Sequence, residues 1–259
     1  MPSVDRFRLG APAFANWEAI QKISQTTLLA SINLGKNQMP VGETYVSENH
    51  ISHAKSRHSR GGNRAATRTD TRKALVWCGT ELLTERGFQI TGIDEVLKRV
   101  GVPKGSFYHY FKSKDDFGHA VIDNYEAYYA KKMDRIFGDS SQAPLQRLEN
   151  FTVNAKSGMV KFDFKRGCLI GNLGQELAAL DTQFRERLEG VLVSWEKRVS
   201  DCLSEAIDIG ELAPGQDPQS LSRFFWVGWE GAILRSKLMR SLEPIDQFTS
   251  IFFRSVLIR

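Results

Sequence analysis

The stretch "TGIDEVLKRVGVPKGSFYHYFKSKDDF", Thr91 to Phe117, decides the reading of this chain. Ile93, Val96, Leu97 and Val100 recur at three- and four-residue steps, the period of one helical face. Thr91 is placed to cap that helix, Asp94 and Glu95 stand in its first turn, and Gly101 ends it. Pro103 opens a further, very short helix at a position where its missing N–H costs nothing. In a helix of "KGSFYHYF", Phe107 and Phe111 lie four apart on one face and are expected in the core. Lys104, Ser106, Tyr108 and His109 fall elsewhere, and Gly105 lets the backbone come close to another surface. Tyr110 and Lys114 follow at the exit. Ammonium, hydroxyl and imidazole groups are suited to phosphate oxygens and base edges. Two short helices joined by a glycine-containing turn form a helix-turn-helix, whose second helix enters the major groove of DNA.

Upstream, the pattern from about Thr69 to Arg86 is helical, with Leu75, Cys78, Leu82 and Leu83 on one side and Gly87 as its stop. From Lys55 to Lys73 the chain carries seven cations against one anion, Asp70. The whole chain has a net charge of +5, so the remainder is near −1 and the basicity belongs to this one segment. A local basic run suits a polyanion such as DNA; an ordinary solvated linker is the other reading. Residues 1–60 lack sustained periodicity and are expected to form an extension or flexible arm. His50, His53 and His58 have no cysteine or carboxylate companions at ligand spacing, so no metal is expected.

With 259 residues, 41% of them hydrophobic, the chain can bury a sizeable core in one or two domains. No apolar run approaches the roughly 18 residues of a membrane helix, and the start has no apolar block behind a basic one, so it does not read as a secretion signal. Cys78, Cys168 and Cys202 are an odd number without CxxC spacing, which favours a reducing, cytoplasmic setting. A glycine-rich phosphate loop, HExxH, GxSxG and a convincing Cys–His pair are all missing from the sequence, so neither an enzyme nor a cofactor is expected.

Downstream the pattern stays helical: about Lys114 to Phe137, Leu145 to Gly158, Gln175 to Leu180, Thr182 to Ile209, Pro218 to Arg240 and Pro244 to Leu257. No alternating strand pattern competes, so the chain reads as all-α, with about nine helices. Phe117, Val121, Tyr125 and Tyr128 form one stripe of the first of these helices, and Ile122, Tyr129, Met133 and Ile136 another. Apolar residues on so much of its circumference imply contact with two bodies. The last two helices are the expected dimer surface. Gly228, Gly231 and Ala232 keep one face small, with Phe224, Phe225, Trp226, Trp229, Phe252 and Phe253 nearby, although the aromatics could equally close the monomer's own core.

These residues resemble a known family. "TGIDEVLKRVGVPKGSFYHYFKSKDDF" is similar to the DNA-binding domain of TetR-type repressors. "RGCLIGNLGQELAAL" and "FWVGWEGAILRSKL" resemble the acrylate-responsive AcuR subgroup and, more distantly, the electrophile-responsive NemR repressors. The likeness runs from about Gly61 to Phe253. It implies a three-helix reading domain over residues 61–113 and a helical effector-binding and dimerisation domain over 114–259. It implies a homodimer on a double-stranded palindromic operator, released by a small metabolite such as acrylate. It assigns Thr91 to a phosphate, Lys104, Ser106, Tyr108 and His109 to bases or backbone, and Tyr110 and Lys114 to backbone. The arm containing Arg60, Arg64 and Arg68 would reach an adjacent groove.

Cys168 matches a sensing cysteine of the NemR-like relatives, and Lys161, Lys165 and Arg166 close by in sequence would favour its thiolate. A small buried cysteine in a tight bend is the alternative. The pool for an effector pocket is Tyr125, Arg166, Cys168, Asn172, Gln175, Trp226, Trp229 and Arg235, because a small carboxylate needs a cation or N–H donors in an apolar cavity. An architectural DNA-binding protein without an effector, an activator, and an enzyme are the competing readings.

Overall fold

A computed structural model describes residues 63–258, with side chains from residue 68 onward. They fall within one compact unit, Ser59–Arg259. The expected extension over residues 1–60 and its three histidines lie outside the described residues. Among the described residues there are eight α-helices, one 3₁₀ helix and a closing π-helical turn, and no strand.

Helix α1 (Asn63–Arg86) ends at Gly87, which adopts φ 89°. The expected arm is therefore shorter than the sequence suggested: Arg64 and Arg68 already belong to α1, where good helix formers continue the helix upstream. Helix α2 (Ile93–Val100) closes on Gly101 at φ 73°, and the Val102 N–H donates to the Leu97 carbonyl at 2.9 Å. That is the left-handed stop the glycine was read for.

The short helix that follows, Lys104–His109, is 3₁₀ rather than α. Pro103 caps it from an extended conformation, and the Ser106 and Tyr110 N–H groups donate three residues back, to the carbonyls of Pro103 and Phe107, each at 2.9 Å. Short connecting helices commonly take this tighter form. Phe107 and Phe111 are buried as expected and, with Phe117, form a three-ring cluster with centroids 5.0–5.7 Å apart.

Helix α3 (Lys114–Phe137) is capped reciprocally. The Ser113 hydroxyl accepts from Asp116 N at 3.0 Å while the Asp116 carboxylate accepts from Lys112 N at 2.8 Å. It packs on α1 and on α4 (Pro144–Lys161), α5 (Leu169–Leu177) and α6 (Thr182–Asp208). This explains the two apolar stripes read from its sequence. The segment expected to be helical over Gln175 to Leu180 is instead α5. Gly171 and Gly174 blur its periodicity, and the Leu180 and Asp181 N–H groups both turn back on the Leu177 carbonyl at 2.9 Å.

Helices α7 (Pro218–Met239) and α8 (Glu243–Ile251) correct the dimer-surface expectation in part. Phe225, Trp226, Trp229 and Phe252 are buried in their own chain, and Phe225 stacks on Trp229 at 5.5 Å. A Cβ on Gly228 would overlap the Phe248 ring, so that glycine serves the α7–α8 contact. A different stripe of α7 stays exposed: Phe224, Val227, Gly231, Leu234 and Leu238, at alternating steps of three and four. No described helix is long and apolar enough to cross a membrane.

Candidate nucleic-acid interface and ligand cavity

The 3₁₀ helix is pinned by its phenylalanines, and what it turns outward is polar. Side chains three apart eclipse in this geometry, so Gly105 and Tyr108 share one row and Ser106 and His109 the next. Tyr108 is 71% exposed, a cost no folded chain needs to bear for packing. His109 and Lys104 are exposed as well, Ser106 is half-buried, and Lys104 Nζ pairs with Asp94 at 2.7 Å. A Cβ on Gly105 would meet no atom of this chain within 4 Å, so the space before it is free for a docking surface.

The neighbouring candidates act on the chain itself. The Arg68 guanidinium donates to the His109 carbonyl at 2.7 Å, bracing the 3₁₀ helix from α1. Arg64 lies in the first turn of α1, and Arg60 is outside the described residues. Tyr110 is half-buried against the core. Lys114 Nζ sits 4.7 Å from the Phe88 ring centre and donates to the Gln89 carbonyl at 3.3 Å, and burial lowers its ammonium pKa.

Thr91 does not cap α2. The cap position belongs to Gly92, and the Thr91 hydroxyl donates to the Gly87 carbonyl at 2.7 Å from a buried position. The turn after α1 draws this hydroxyl inward, which leaves no phosphate face on the side chain.

A cavity of about 800 Å³ lies between α5, α6 and α7. Cys168, Ile170, Leu188, Glu230 and Ile233 line its inner part, with Arg185, Glu189 and Leu234 toward the exposed side. Of the effector pool, Cys168, Asn172 and Gln175 line it. Tyr125 stands behind, its hydroxyl accepting from Leu169 N at 3.3 Å.

The other pool members are engaged elsewhere. Arg166 pairs with Glu85 at 3.0 Å and Glu81 at 3.8 Å, and lies over the Phe162 ring. Trp226 and Trp229 are core, and Arg235 is exposed beside Met239. Glu230, Lys237 and Arg185 were missed. Glu230 alone had a signal, as the single acid inside the apolar run "FWVGWEGAIL".

The expected cationic setting of Cys168 is also corrected. Arg166 is turned to α1 and Lys165 pairs with Asp163 at 3.0 Å. Glu230 shares its cavity instead, and burial first, then the Glu230 charge, hold the thiol's pKa well above the ordinary value. Cys78 and Cys202 are buried, with thiols pushed up to about 11 and about 12 by burial, and the Cys202 thiol donates to the Pro144 carbonyl at 3.1 Å.

Side chains at and beside the cavity are hydrogen-bonded to the first part of the fold. Asn172 Nδ2 donates to the Thr84 carbonyl at 3.0 Å, Lys237 Nζ donates to the Glu85 carbonyl at 3.1 Å, and Glu176 accepts from Phe88 N and Gln89 N, each at 2.9 Å. All four partners belong to the end of α1 or the turn after it.

Two family models match this chain: that of the bacterial regulatory proteins of the tetR family over residues 79–121, and that of the Tetracyclin repressor-like C-terminal domain over 144–252. Transcriptional regulator AcuR of Cereibacter sphaeroides is 49% identical over 187 residues, spanning 72% of this chain and 85% of that protein. The HTH-type transcriptional repressor NemR of Escherichia coli K12 is 30% identical, over 70% of this chain and 90% of its own length. A crystal structure of regulatory protein TetR from Rhodobacter sphaeroides superposes with a TM-score of 0.70 at 48% identity, covering 73% of this chain and 99% of that one.

Proposed function

The chain belongs to the TetR family of bacterial regulatory proteins, and on that premise we propose that it is a cytoplasmic homodimeric repressor released from its operator when a small metabolite enters the α5–α6–α7 cavity. Residues 61–113 read the DNA, and residues 114–259 bind the effector and dimerise. The exposed Lys104, Gly105, Tyr108 and His109 enter the major groove, where their groups meet base edges and phosphates. A palindromic site requires two such helices related by a two-fold axis. The exposed α7 stripe supplies the apolar surface for the second copy, with Phe224, Val227, Leu234 and Leu238 spaced as a helix-packing seam. Gly231 and Leu234 border the cavity as well, so the partner covers its mouth.

One observation carries the ligand-responsive part: α5, which begins beside Cys168 at the cavity, is hydrogen-bonded through Asn172 and Glu176 to the end of α1 and the turn into α2. A ligand that moves α5 thereby moves the reading head, and a repressor needs two such arrangements to switch. Likeness to the acrylate-responsive subgroup supports acrylate, or a related electrophile, as the effector, with Cys168 at the point of contact.

The test is a mobility shift on the protein's own upstream DNA, titrated with acrylate and with a stronger alkylating electrophile, for wild type and Cys168→Ser in parallel. Release of the wild type by both compounds and retention of the variant is expected. Equal release of the two proteins by acrylate would make the pocket a reversible one in which Cys168 is structural. Failure of every compound to release the wild type would overturn the effector class.

A further inference from the structure

Glu230 is an acid in an apolar stretch of α7, and a buried carboxyl is costly unless it is paired. Its Oε1 is shielded from solvent and has no hydrogen-bond partner, while the side chain lines the cavity. Cys168 lines the same cavity, and a Cβ built on Gly171 between the two would lie 3.8 Å from Cys168 Cβ. Cys168 itself stands at the cap of α5, at the N-terminal end of that helix. Gly171 is what lets the acid approach, since a Cβ there would overlap the Glu230 carboxylate. A nucleophile and an adjacent base thus converge on the inner part of one cavity.

We propose that Glu230 is the proton carrier for Cys168, taking the thiol proton as Sγ adds to the β-carbon of an α,β-unsaturated carbonyl compound and returning it to the α-carbon. The S–H bond breaks and the S–C bond forms, while the π pair of the C=C bond moves toward the α-carbon and there accepts the proton from Glu230. The carboxylate is regenerated, nothing leaves, and no electron is gained or lost. The sulfur's transient negative charge falls at the N-terminal, positive end of α5. This rests on the reading of the cavity as the effector site and gives that site its ligand class.

The thiol's raised pKa means that it is protonated at neutral pH and needs a base in contact. Burial raises the Glu230 carboxyl to about 7, where the base and acid forms are both populated. The other titratable groups around the pair are Tyr125 and Tyr129 of α3, Arg185, Glu186 and Glu189 of α6, and Lys237 of α7. Burial keeps both phenols neutral, Lys237 is turned to the carbonyls of Thr84 and Glu85, and the three α6 residues are exposed. Glu230 is the group in place to exchange a proton with Sγ.

The experiment follows acrylamide addition to the full chain by intact mass, between about pH 5.5 and 8.5, for wild type, Glu230→Gln and Cys168→Ser. One adduct, absent from Cys168→Ser, is expected on the wild type, with a rate that rises through the neutral range and levels off. Glu230→Gln should slow it about 100-fold near neutral pH, the lower bound for a positioned base, and lose the plateau. Glu230→Asp, which keeps the carboxyl, should restore part of the rate, and it replaces the Gln comparison if that variant does not fold. A Gln variant that reacts as fast as wild type or faster overturns the proposal, because a carboxylate that merely repelled the thiolate would give that result. No adduct on the wild type overturns it too. Adduct formation that depends on Glu230 without release of DNA would leave the proton carrier standing and overturn the effector reading alone.

Discussion

The Glu176 carboxylate accepts a hydrogen bond from the backbone N–H of Phe88 at 2.9 Å, joining α5 to the turn that leads into the DNA-reading helices. The Gln89 N–H donates to the same oxygen, also at 2.9 Å. Two N–H groups of the turn after α1 are thereby satisfied by a charge from a distant part of the chain. The clasp lies eight residues along α5 from Cys168, so the cavity and the reading head share one short, rigid element.

Removing the clasp should cost both stability and coupling. Glu176→Ala leaves two N–H groups unpaired and is expected to lower stability by about 1–3 kcal/mol, read as a fall in the thermal midpoint. Effector concentrations that release wild type from DNA should release this variant less completely. Unchanged release with a lowered midpoint would confine Glu176 to a structural role.

Gly87 offers an independent approach to the same contact. It adopts φ 89°, and a Cβ there would overlap the Glu176 carboxylate. Gly87→Ala therefore combines backbone strain with a displaced clasp, and a loss of more than about 1 kcal/mol in urea denaturation is expected.

Tyr108 and Phe107 are neighbours with opposite duties. Tyr108→Ala should abolish operator binding in a mobility shift while the melting temperature stays within error, because its ring is mostly in solvent. Phe107→Ala should cost about 3–5 kcal/mol, since it empties a site closed by Phe111 and Phe117.

Glu230 should leave its mark on stability as well as on reactivity. Its carboxyl is raised from 4.5 to about 7 by burial. Between those values the native protein holds a proton that the unfolded chain has released. The stabilisation is therefore complete below the lower value and is lost as pH rises through the upper one. Wild type should lose no more than about 3 kcal/mol relative to Glu230→Gln across that window. Parallel denaturation curves for the two proteins at each pH would remove this account.

The α7 stripe can be tested by charge. Val227 is 77% exposed and does not line the cavity. Val227→Glu should give a folded monomer by sedimentation, with operator binding weakened because the two heads are no longer tied together. A dimer that survives the substitution would move the interface elsewhere.

Much of this was legible in the residues themselves. Gly101, Pro103 and the Phe107–Phe111 pair state the helix-turn-helix in local terms, because stops, starts and one-face spacing depend on a few adjacent residues. The long helices over Thr182–Asp208 and Pro218–Met239 were equally plain from their period.

Other features belong to the tertiary structure. Thr91 sits at a helix start and looks like a cap, yet its hydroxyl goes to Gly87, a choice made by the turn after α1. Arg166 stands two residues from Cys168 in sequence but spends its charge on Glu81 and Glu85 of α1. The acid that shares the cavity with the thiol is Glu230, from a helix far along the chain. The sequence alone determined most of the helices and the exposed polar side of Lys104–His109, because short-range periodicity and backbone conformation set both. Only the packing of α5 on α1, α3 and α6, with α7 across the cavity, decided what surrounds Cys168, because burial and charge pairing depend on residues that the chain brings together from far apart.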